Sequence, residues 1–128
     1  MGTATKQRTT PVGTLNYPDL TKGIATQIGA LRKGIPDTMK GFGDMAKHAE
    51  AEGALDGKTK ELISMGIAIA LRCDGCIGFH TKALLRLGAT RQEFQEMLGV
   101  AIYMGGGPSL MYAAQAMDAW EQFGGSAE

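Results

Sequence analysis

The chain is organised around the stretch Cys73-Asp74-Gly75-Cys76-Ile77-Gly78-Phe79-His80, which holds both of its cysteines and one of its two histidines. If a helix begins at the first cysteine, His80 lies four residues beyond Cys76 and seven beyond Cys73. These spacings place the three side chains on one face of the helix. The stretch therefore combines a nucleophile, a second thiol that can close a disulfide with it, and a titratable ring.

A cysteine reacts as its thiolate, and a free thiol with a pKa near 8.5 is only about 3% thiolate at pH 7. Redox chemistry at this stretch therefore requires a group that stabilises the thiolate. A helix N-terminus and an imidazolium both have this effect. The predicted helix start and His80 provide one of each.

The composition excludes several classes of protein. A length of 128 residues fits one domain, and 13 basic against 13 acidic residues give a formal net charge of zero. This balance argues against a nucleic-acid binder and against a protein that adheres to anionic membranes. A disulfide between two cysteines three positions apart cannot link distant parts of a secreted domain. The pair is typical of a reducing compartment, and we expect the cytoplasm.

We divide the chain into a flexible N-terminal arm at residues 1–16, a helical domain at 17–123 and a frayed tail at 124–128. The polar start lacks an apolar segment of the length that a signal peptide requires. From Tyr17 onward, apolar residues recur at spacings of three and four, which indicates helices. No run alternates at period two beside a hairpin signal, so the predicted fold is all-α.

Caps and glycine breaks predict about six helices. Asp56 precedes the third helix, and Thr90 with Glu93 forms a capping box for the fifth. The predicted spans are Asp19–Lys33, Pro36 to Gly53, Gly57–Leu71, the cysteines to Gly88, Thr90 to the glycines at 105–107, and a sixth helix that ends near Phe123. In the second helix we expect four apolar side chains to face the core: Met39, Phe42, Met45 and Ala46.

Two helical segments are apolar on every side, Leu62–Leu71 and the run from Met97 to Met104. Such segments are normally surrounded by protein. The first has ten residues, which is too few to span a bilayer. A monomer of six helices has too little other protein to cover both segments. We therefore expect a homo-oligomer and no membrane partner.

A wider pattern surrounds the cysteines: Glu61, eleven residues, Cys73-x-x-Cys76-x-x-x-His80, Ala83 and the turn Leu87-Gly88-Ala89-Thr90. From about Pro36 to Phe123 this pattern resembles the alkylhydroperoxidase AhpD-like core of the carboxymuconolactone decarboxylase family. The resemblance implies a thiol-dependent peroxidase without a cofactor or metal, assembled as a trimer or as a hexamer built from dimers. It also implies that Glu61, Cys73, Cys76 and His80 form the active site.

Two features separate this chain from AhpD itself, which is longer and has duplicated helical halves. AhpD also carries a second histidine between its cysteines, where this chain has Asp74 and Gly75. The decarboxylase that names the family is not known for a cysteine pair. The two thiols therefore argue against lactone decarboxylation here.

The predicted reaction is a cycle of the cysteine pair. Cys76 attacks a hydroperoxide and becomes a sulfenic acid, Cys73 condenses with it to a disulfide, and an external dithiol or disulfide-reductase donor resets the pair. Cys76 is favoured as the nucleophile because His80 lies one turn away, and the reverse assignment stays open. Glu61 would orient His80. It lies roughly 15 Å along its helix from the turn, so only crossing helices or a neighbouring subunit can bring the two together.

Three other interpretations stay open. Glu61 at a helix start is also typical of a solvated charge that favours the helix dipole. Cys73, Cys76 and His80 are ligands that zinc accepts, with a fourth position open. Finally, the protein could be a non-catalytic oligomeric subunit whose dithiol only reports the redox state.

Overall fold

The computed structural model describes residues 15–128, which form six α-helices and no strand. The helices are α1 (Tyr17–Gly34), α2 (Pro36–Glu50), α3 (Gly57–Leu71), α4 (Asp74–Arg86), α5 (Arg91–Gly105) and α6 (Gly107–Gln122). The prediction of an all-α fold of about six helices is confirmed. The predicted flexible arm falls mainly on residues 1–14, which lie outside the described residues.

Hydrogen bonds from capping side chains determine where two helices begin. The Asp56 carboxylate accepts the backbone N–H of Thr59 at 2.8 Å, and α3 occupies its predicted span. At α5, the Thr90 hydroxyl accepts the backbone N–H of Glu93 at 3.1 Å, and the Glu93 carboxylate accepts that of Thr90 at 2.8 Å. This is the predicted capping box. Both arrangements satisfy N–H groups that helix geometry leaves without partners.

Two other helices differ slightly from their predicted spans. α1 begins at Tyr17 rather than Asp19, because the Asn16 side chain accepts the Asp19 backbone N–H at 3.0 Å and caps an earlier start. α2 ends at Glu50 rather than Gly53, because Ala51 has an extended backbone with φ −61° and ψ 146°. The connection from α2 to α3 is therefore longer than predicted.

The core lies where α3, α4, α5 and α6 meet, with the start of α1 against it. Trp120 is 1% exposed, and its ring centroid lies 4.8 Å from that of Phe94. The Trp120 indole N–H donates to the Ser126 carbonyl at 2.8 Å. Residues after α6 thus contact the core, and the fraying expected for 124–128 stays a prediction.

α1 packs against α4 at a residue without a side chain. A Cβ at Gly78 would lie 2.6 Å from Thr21 Cγ2 and 3.4 Å from Tyr17 Cδ1. The Gln122 side chain ties the same end of α1 to α6, since it accepts the Tyr17 backbone N–H at 2.7 Å and donates to the Leu15 carbonyl at 3.0 Å. These contacts hold α4, which carries the cysteine motif, against the rest of the domain.

Many large apolar side chains are exposed in the single chain. The prediction that α2 turns Phe42 and Met45 inward is wrong here, because α2 packs only on α1 and α3 and has no buried residue. The outward sides of α3 and α5 form what we call the apolar face: Ile63, Ile67, Leu71, Val100, Tyr103 and Met104. The two segments that are apolar all round are therefore buried on one side only.

Within residues 15–128, every helix is too short or too polar to cross a membrane.

Candidate active site

The cysteine motif lies at the turn between α3 and α4. Arg72 ends α3 in the left-handed conformation, with φ 57° and ψ 46°, and its N–H bonds back to the carbonyls of Ala68 and Ile69. Cys73 is then the N-cap of α4, and its Sγ accepts the backbone N–H of Cys76 at 3.2 Å. A helix that begins at the first cysteine agrees with the sequence-based prediction.

Cys73 and Cys76 are joined by a disulfide, with their Cα atoms 5.2 Å apart. The structure therefore describes the oxidised form of the pair. The start of α4 therefore places both sulfurs within bonding distance of each other.

Glu61 and His80 form a hydrogen-bond contact within one chain. His80 Nδ1 lies 2.6 Å from Glu61 Oε1, and Glu61 is only 5% exposed. The interpretation of Glu61 as a solvated charge is therefore wrong. Of the two routes left open by the sequence, the structure uses crossing helices, since α4 folds back along α3 after the tight turn.

This contact determines which nitrogen of the imidazole ring is available. A neutral histidine carries one N–H, and a carboxylate oxygen can only accept. Nδ1 therefore donates to Glu61, and Nε2 is left with a lone pair. The His80 side chain is 29% exposed, so the ring is accessible to solvent or to a bound molecule.

A cavity of about 220 Å³ adjoins the motif. Its lining comes from the second half of α3 and the first half of α4: Ser64, Ile67, Ala68, Leu71, Cys76 and His80. Cys76 lines this cavity and Cys73 does not. Sequence reasoning missed the α3 residues of the lining, although Ser64, Ala68 and Leu71 follow Glu61 at helical spacings of three and four, which is the signal that identifies them.

Glu50, the last residue of α2, is a second acidic residue at the site. Glu50 is itself exposed. A hydrogen bond to Glu61, desolvation and the charge of Glu61 raise the pKa of Glu50 above its ordinary value, while His80 and Arg86 act in the opposite direction. Sequence reasoning did not select Glu50, because its neighbours in the chain say nothing about where the end of α2 meets α3.

Among residues 15–128, no three or more side chains of His, Cys, Asp or Glu are grouped in a way that would hold a metal ion. The zinc interpretation needs Cys73 and Cys76 as separate thiolates. In this structure the two sulfurs are bonded to each other instead.

Comparisons with known proteins agree with this architecture. Residues 36–119 match the Carboxymuconolactone decarboxylase family. An uncharacterized protein of Cupriavidus necator is 43% identical over 94 residues, which are 73% of this chain and 83% of that protein. An uncharacterized protein of the cox locus of Paracoccus denitrificans is 34% identical over 82 residues, which are 64% of this chain and 74% of that protein.

A solved structure extends the match to the whole helical domain. The apo crystal structure of a carboxymuconolactone decarboxylase family protein from Legionella pneumophila superposes with a TM-score of 0.83 at 55% sequence identity. The match covers 84% of this chain and 96% of that one. From the fold, the sequence match and this structural similarity together, we conclude that the chain belongs to the carboxymuconolactone decarboxylase family.

Proposed function

We propose that this chain is a dithiol peroxidase, and more broadly a disulfide oxidoreductase, that reduces hydroperoxides through Cys73 and Cys76. One observation carries the proposal: Cys76 and His80 line the same cavity, while Glu61 is hydrogen-bonded to Nδ1 of the His80 ring. A thiol, a base and a group that orients the base are the parts that nucleophilic catalysis requires. Membership of a family that includes AhpD-like peroxidases supports the same conclusion.

The reaction begins with the reduced pair. The Cys76 thiolate attacks the O–O bond of the hydroperoxide, so that sulfur gains one oxygen as a sulfenic acid and the other oxygen leaves as an alcohol with one proton. The Cys73 thiol then attacks the sulfenic sulfur, which forms the disulfide and releases water. Two thiols have lost two electrons in total, and the hydroperoxide has become an alcohol and water.

His80 would carry the protons in this reaction. With Nδ1 bonded to Glu61, Nε2 takes the proton of the Cys76 thiol and returns one to the leaving oxygen. Glu61 keeps the ring in this orientation and tautomer, as a carboxylate partner does for many histidine bases. Each of the three residues thus has a role in the proposed reaction.

The position of the two cysteines at the start of α4 also favours a reactive sulfur. Cys73 is the N-cap, and the backbone N–H of Cys76 donates to its Sγ. Sulfurs at this end of a helix experience the positive pole of the helix dipole, which stabilises a thiolate. The helix and His80 therefore act together on the pair.

The cavity favours an apolar substrate. Ile67, Ala68 and Leu71 supply apolar side chains to its wall, and its volume of about 220 Å³ admits a small molecule. An organic hydroperoxide can place its hydrocarbon part against these side chains and its O–O bond toward Cys76. The disulfide is then reset by an external dithiol or disulfide reductase, which a reducing compartment such as the cytoplasm would supply.

Peroxide consumption by the full-length chain tests the proposal. The assay supplies cumene hydroperoxide, with dithiothreitol as the dithiol donor, and follows both the loss of peroxide and the state of the cysteine pair. Catalytic turnover, many peroxides per chain, is the expected result. A pair that cycles between dithiol and disulfide without consuming peroxide would identify a non-catalytic redox subunit. Stoichiometric zinc in the reduced protein would favour the metal site.

We also propose that the protein works as a homo-oligomer in which copies of this chain cover the apolar face. Tyr103 is 84% exposed and Leu71 is 73% exposed in the single chain, and monomers rarely leave such side chains together in water. A groove of about 380 Å³ runs between α3 and α5. Ile67 lines both this groove and the cavity at Cys76, so a neighbouring copy on this face would lie beside the site.

A further inference from the structure

Ser64 lies on the wall of the cavity at Cys76, half-buried in the second turn of α3. Three of the six described residues that line this cavity have aliphatic side chains. The other three are Cys76, His80 and Ser64. Among the described lining residues, Ser64 is therefore the one polar side chain that has no part in the proposed reaction.

Two contacts determine how α3 and α4 lie against each other at the cavity. At the turn between them, the Cys73 backbone N–H donates to the Ala68 carbonyl at 3.1 Å. Farther along both helices, Glu61 contacts His80 at 2.6 Å. α4 therefore runs back along α3 from the first contact to the second.

Ser64 and Cys76 lie at nearly the same level between these two contacts. At 1.5 Å per residue, Ser64 lies about 6 Å along α3 from Ala68, and Cys76 lies about 4.5 Å along α4 from Cys73. Ser64 also follows Glu61 by three residues, which places both on the face of α3 that meets α4. This position opposite Cys76 agrees with the place of Ser64 in the cavity wall.

The hydrogen bond that Ser64 makes determines what its hydroxyl can offer to the cavity. The hydroxyl donates to the Lys60 carbonyl, one turn back in α3, at 3.0 Å. A hydroxyl has a single proton and two lone pairs. With its proton bonded to Lys60, the Ser64 oxygen can only accept a further hydrogen bond. Its partner in the cavity is therefore a molecule that carries an O–H or an N–H.

We infer that Ser64 is a substrate-binding residue whose hydroxyl oxygen accepts the O–H of the hydroperoxide and holds the terminal oxygen toward Cys76. The inference deepens the proposed function and rests on it. The thiolate attacks the terminal oxygen, the O–O bond breaks, and the other oxygen leaves as an alkoxide that His80 protonates. The hydrogen that is bonded to Ser64 stays on the oxygen that sulfur gains, so the same bond then holds the sulfenic acid.

This hydrogen bond gives the site a reason to select hydroperoxides. A hydroperoxide has an O–H at one end and a hydrocarbon part at the other. The first matches the Ser64 oxygen and the second matches the aliphatic part of the wall. A dialkyl peroxide has no O–H and would displace water from the Ser64 oxygen without replacing its hydrogen bond.

The test measures how fast a hydroperoxide oxidises the reduced cysteine pair in the full-length wild type, Ser64→Ala and Ser64→Thr. Cumene hydroperoxide is mixed with reduced protein, and the loss of thiol is followed over a single turnover without a dithiol donor. We expect Ser64→Ala to lower the second-order rate constant by roughly 3–10-fold, the range that one neutral hydrogen bond supports. Ser64→Thr keeps the hydroxyl and should retain most of the wild-type rate.

Two controls separate substrate binding from an effect on the thiol or on the helix. Methyl methanethiosulfonate reacts with thiolates and carries no O–H or N–H, so its rate should be equal in wild type and Ser64→Ala. Thr26→Ala is the matched variant, because the Thr26 hydroxyl makes the same kind of bond, to the Lys22 carbonyl at 3.1 Å, at an exposed position of α1. It should react with cumene hydroperoxide at the wild-type rate.

The outcomes distinguish this inference from the proposed function. Equal rates with cumene hydroperoxide in wild type and Ser64→Ala would overturn the inference and leave the proposed function standing. An equal loss of rate with methyl methanethiosulfonate would also overturn it, because Ser64 would then act on the sulfur rather than on the substrate. A wild-type pair that cumene hydroperoxide does not oxidise would refute the proposed function, and the role of Ser64 with it.

Discussion

Glu61 Oε1 lies 2.6 Å from His80 Nδ1, although nineteen positions separate the two residues in the chain. The contact joins the start of α3 to the middle of α4 and determines which ring nitrogen is left for chemistry. Cys76 lies one helical turn from His80, and Cys73 caps the start of the same helix, α4.

The first prediction separates the two cysteines. We expect Cys76→Ser to abolish peroxide turnover, because it removes the nucleophile. Cys73→Ser should consume one equivalent of peroxide and stop at a sulfenic acid, since no second thiol resolves it. Mass spectrometry would detect the one added oxygen. If Cys76→Ser still turned over peroxide, either Cys73 would be the nucleophile or the proposed mechanism would be wrong.

The second prediction concerns the base and its partner. His80→Ala should shift the thiol alkylation profile to higher pH, because the thiolate loses a nearby imidazolium. Glu61→Gln should shift it in the same direction by less, since Glu61 acts through the ring. His48→Ala is the matched control, because His48 is exposed on α2. Equal profiles in wild type and His80→Ala would remove His80 from the mechanism.

The third prediction tests the close contact between α1 and α4. Gly78→Ala should destabilise the fold by about 1–3 kcal/mol, the usual cost of overpacking, because the new Cβ meets Thr21. Gly41→Ala in α2 meets nothing within 4 Å and should instead stabilise the helix by about 0.5–1 kcal/mol. Urea unfolding followed by circular dichroism measures both. If Gly78→Ala left the free energy of unfolding unchanged, α1 would be able to shift away from α4 without cost.

The fourth prediction concerns stability against pH at the start of α3. Hydrogen bonds to Thr59 lower the pKa of Asp56 below its ordinary value of 3.8. A lowered carboxyl pKa contributes stability above the unfolded value, and this is lost as pH falls through the folded value. Wild type should therefore be more stable than Asp56→Asn at pH 7, and the difference should close below pH 3.8. Urea unfolding of both proteins at several pH values checks this. A difference that stays constant with pH would contradict the assignment.

The fifth prediction addresses assembly. We expect the wild type to sediment as an oligomer at micromolar concentration and Val100→Glu to sediment as a smaller species, because a charge would be buried in the apolar face. Val100 is 63% exposed in the single chain, so the substitution should leave the fold intact. Gln95→Glu adds the same charge at an exposed position of α5 that is not part of this face. A monomeric wild type would refute the proposal.

Features that depend on a few neighbouring residues could be predicted from the sequence. The start of α3 at Asp56 and the capping box at Thr90 both rest on hydrogen bonds across three residues. The cysteine pair at a helix start is equally local. Such features can be predicted because the spacing along the chain alone determines the hydrogen-bond partners.

Features that depend on how helices cross could not be predicted. The contact of Glu61 with His80 needs α4 to fold back along α3, and Arg72 makes that turn in a conformation that usually indicates glycine. The orientation of Phe42 was misjudged because helical spacing identifies an apolar stripe without saying what covers it. Glu50 was missed for the same reason, since its partner lies on another helix.

The packing of Trp120 has a practical consequence for studying these variants. It is the only tryptophan of the chain, it is buried against Phe94, and its indole N–H bonds to Ser126. Its fluorescence therefore comes from one known place, and its emission should move to longer wavelength when water reaches the ring. A single optical signal can thus report whether each cysteine, histidine or glutamate variant retains its core before any chemistry is measured.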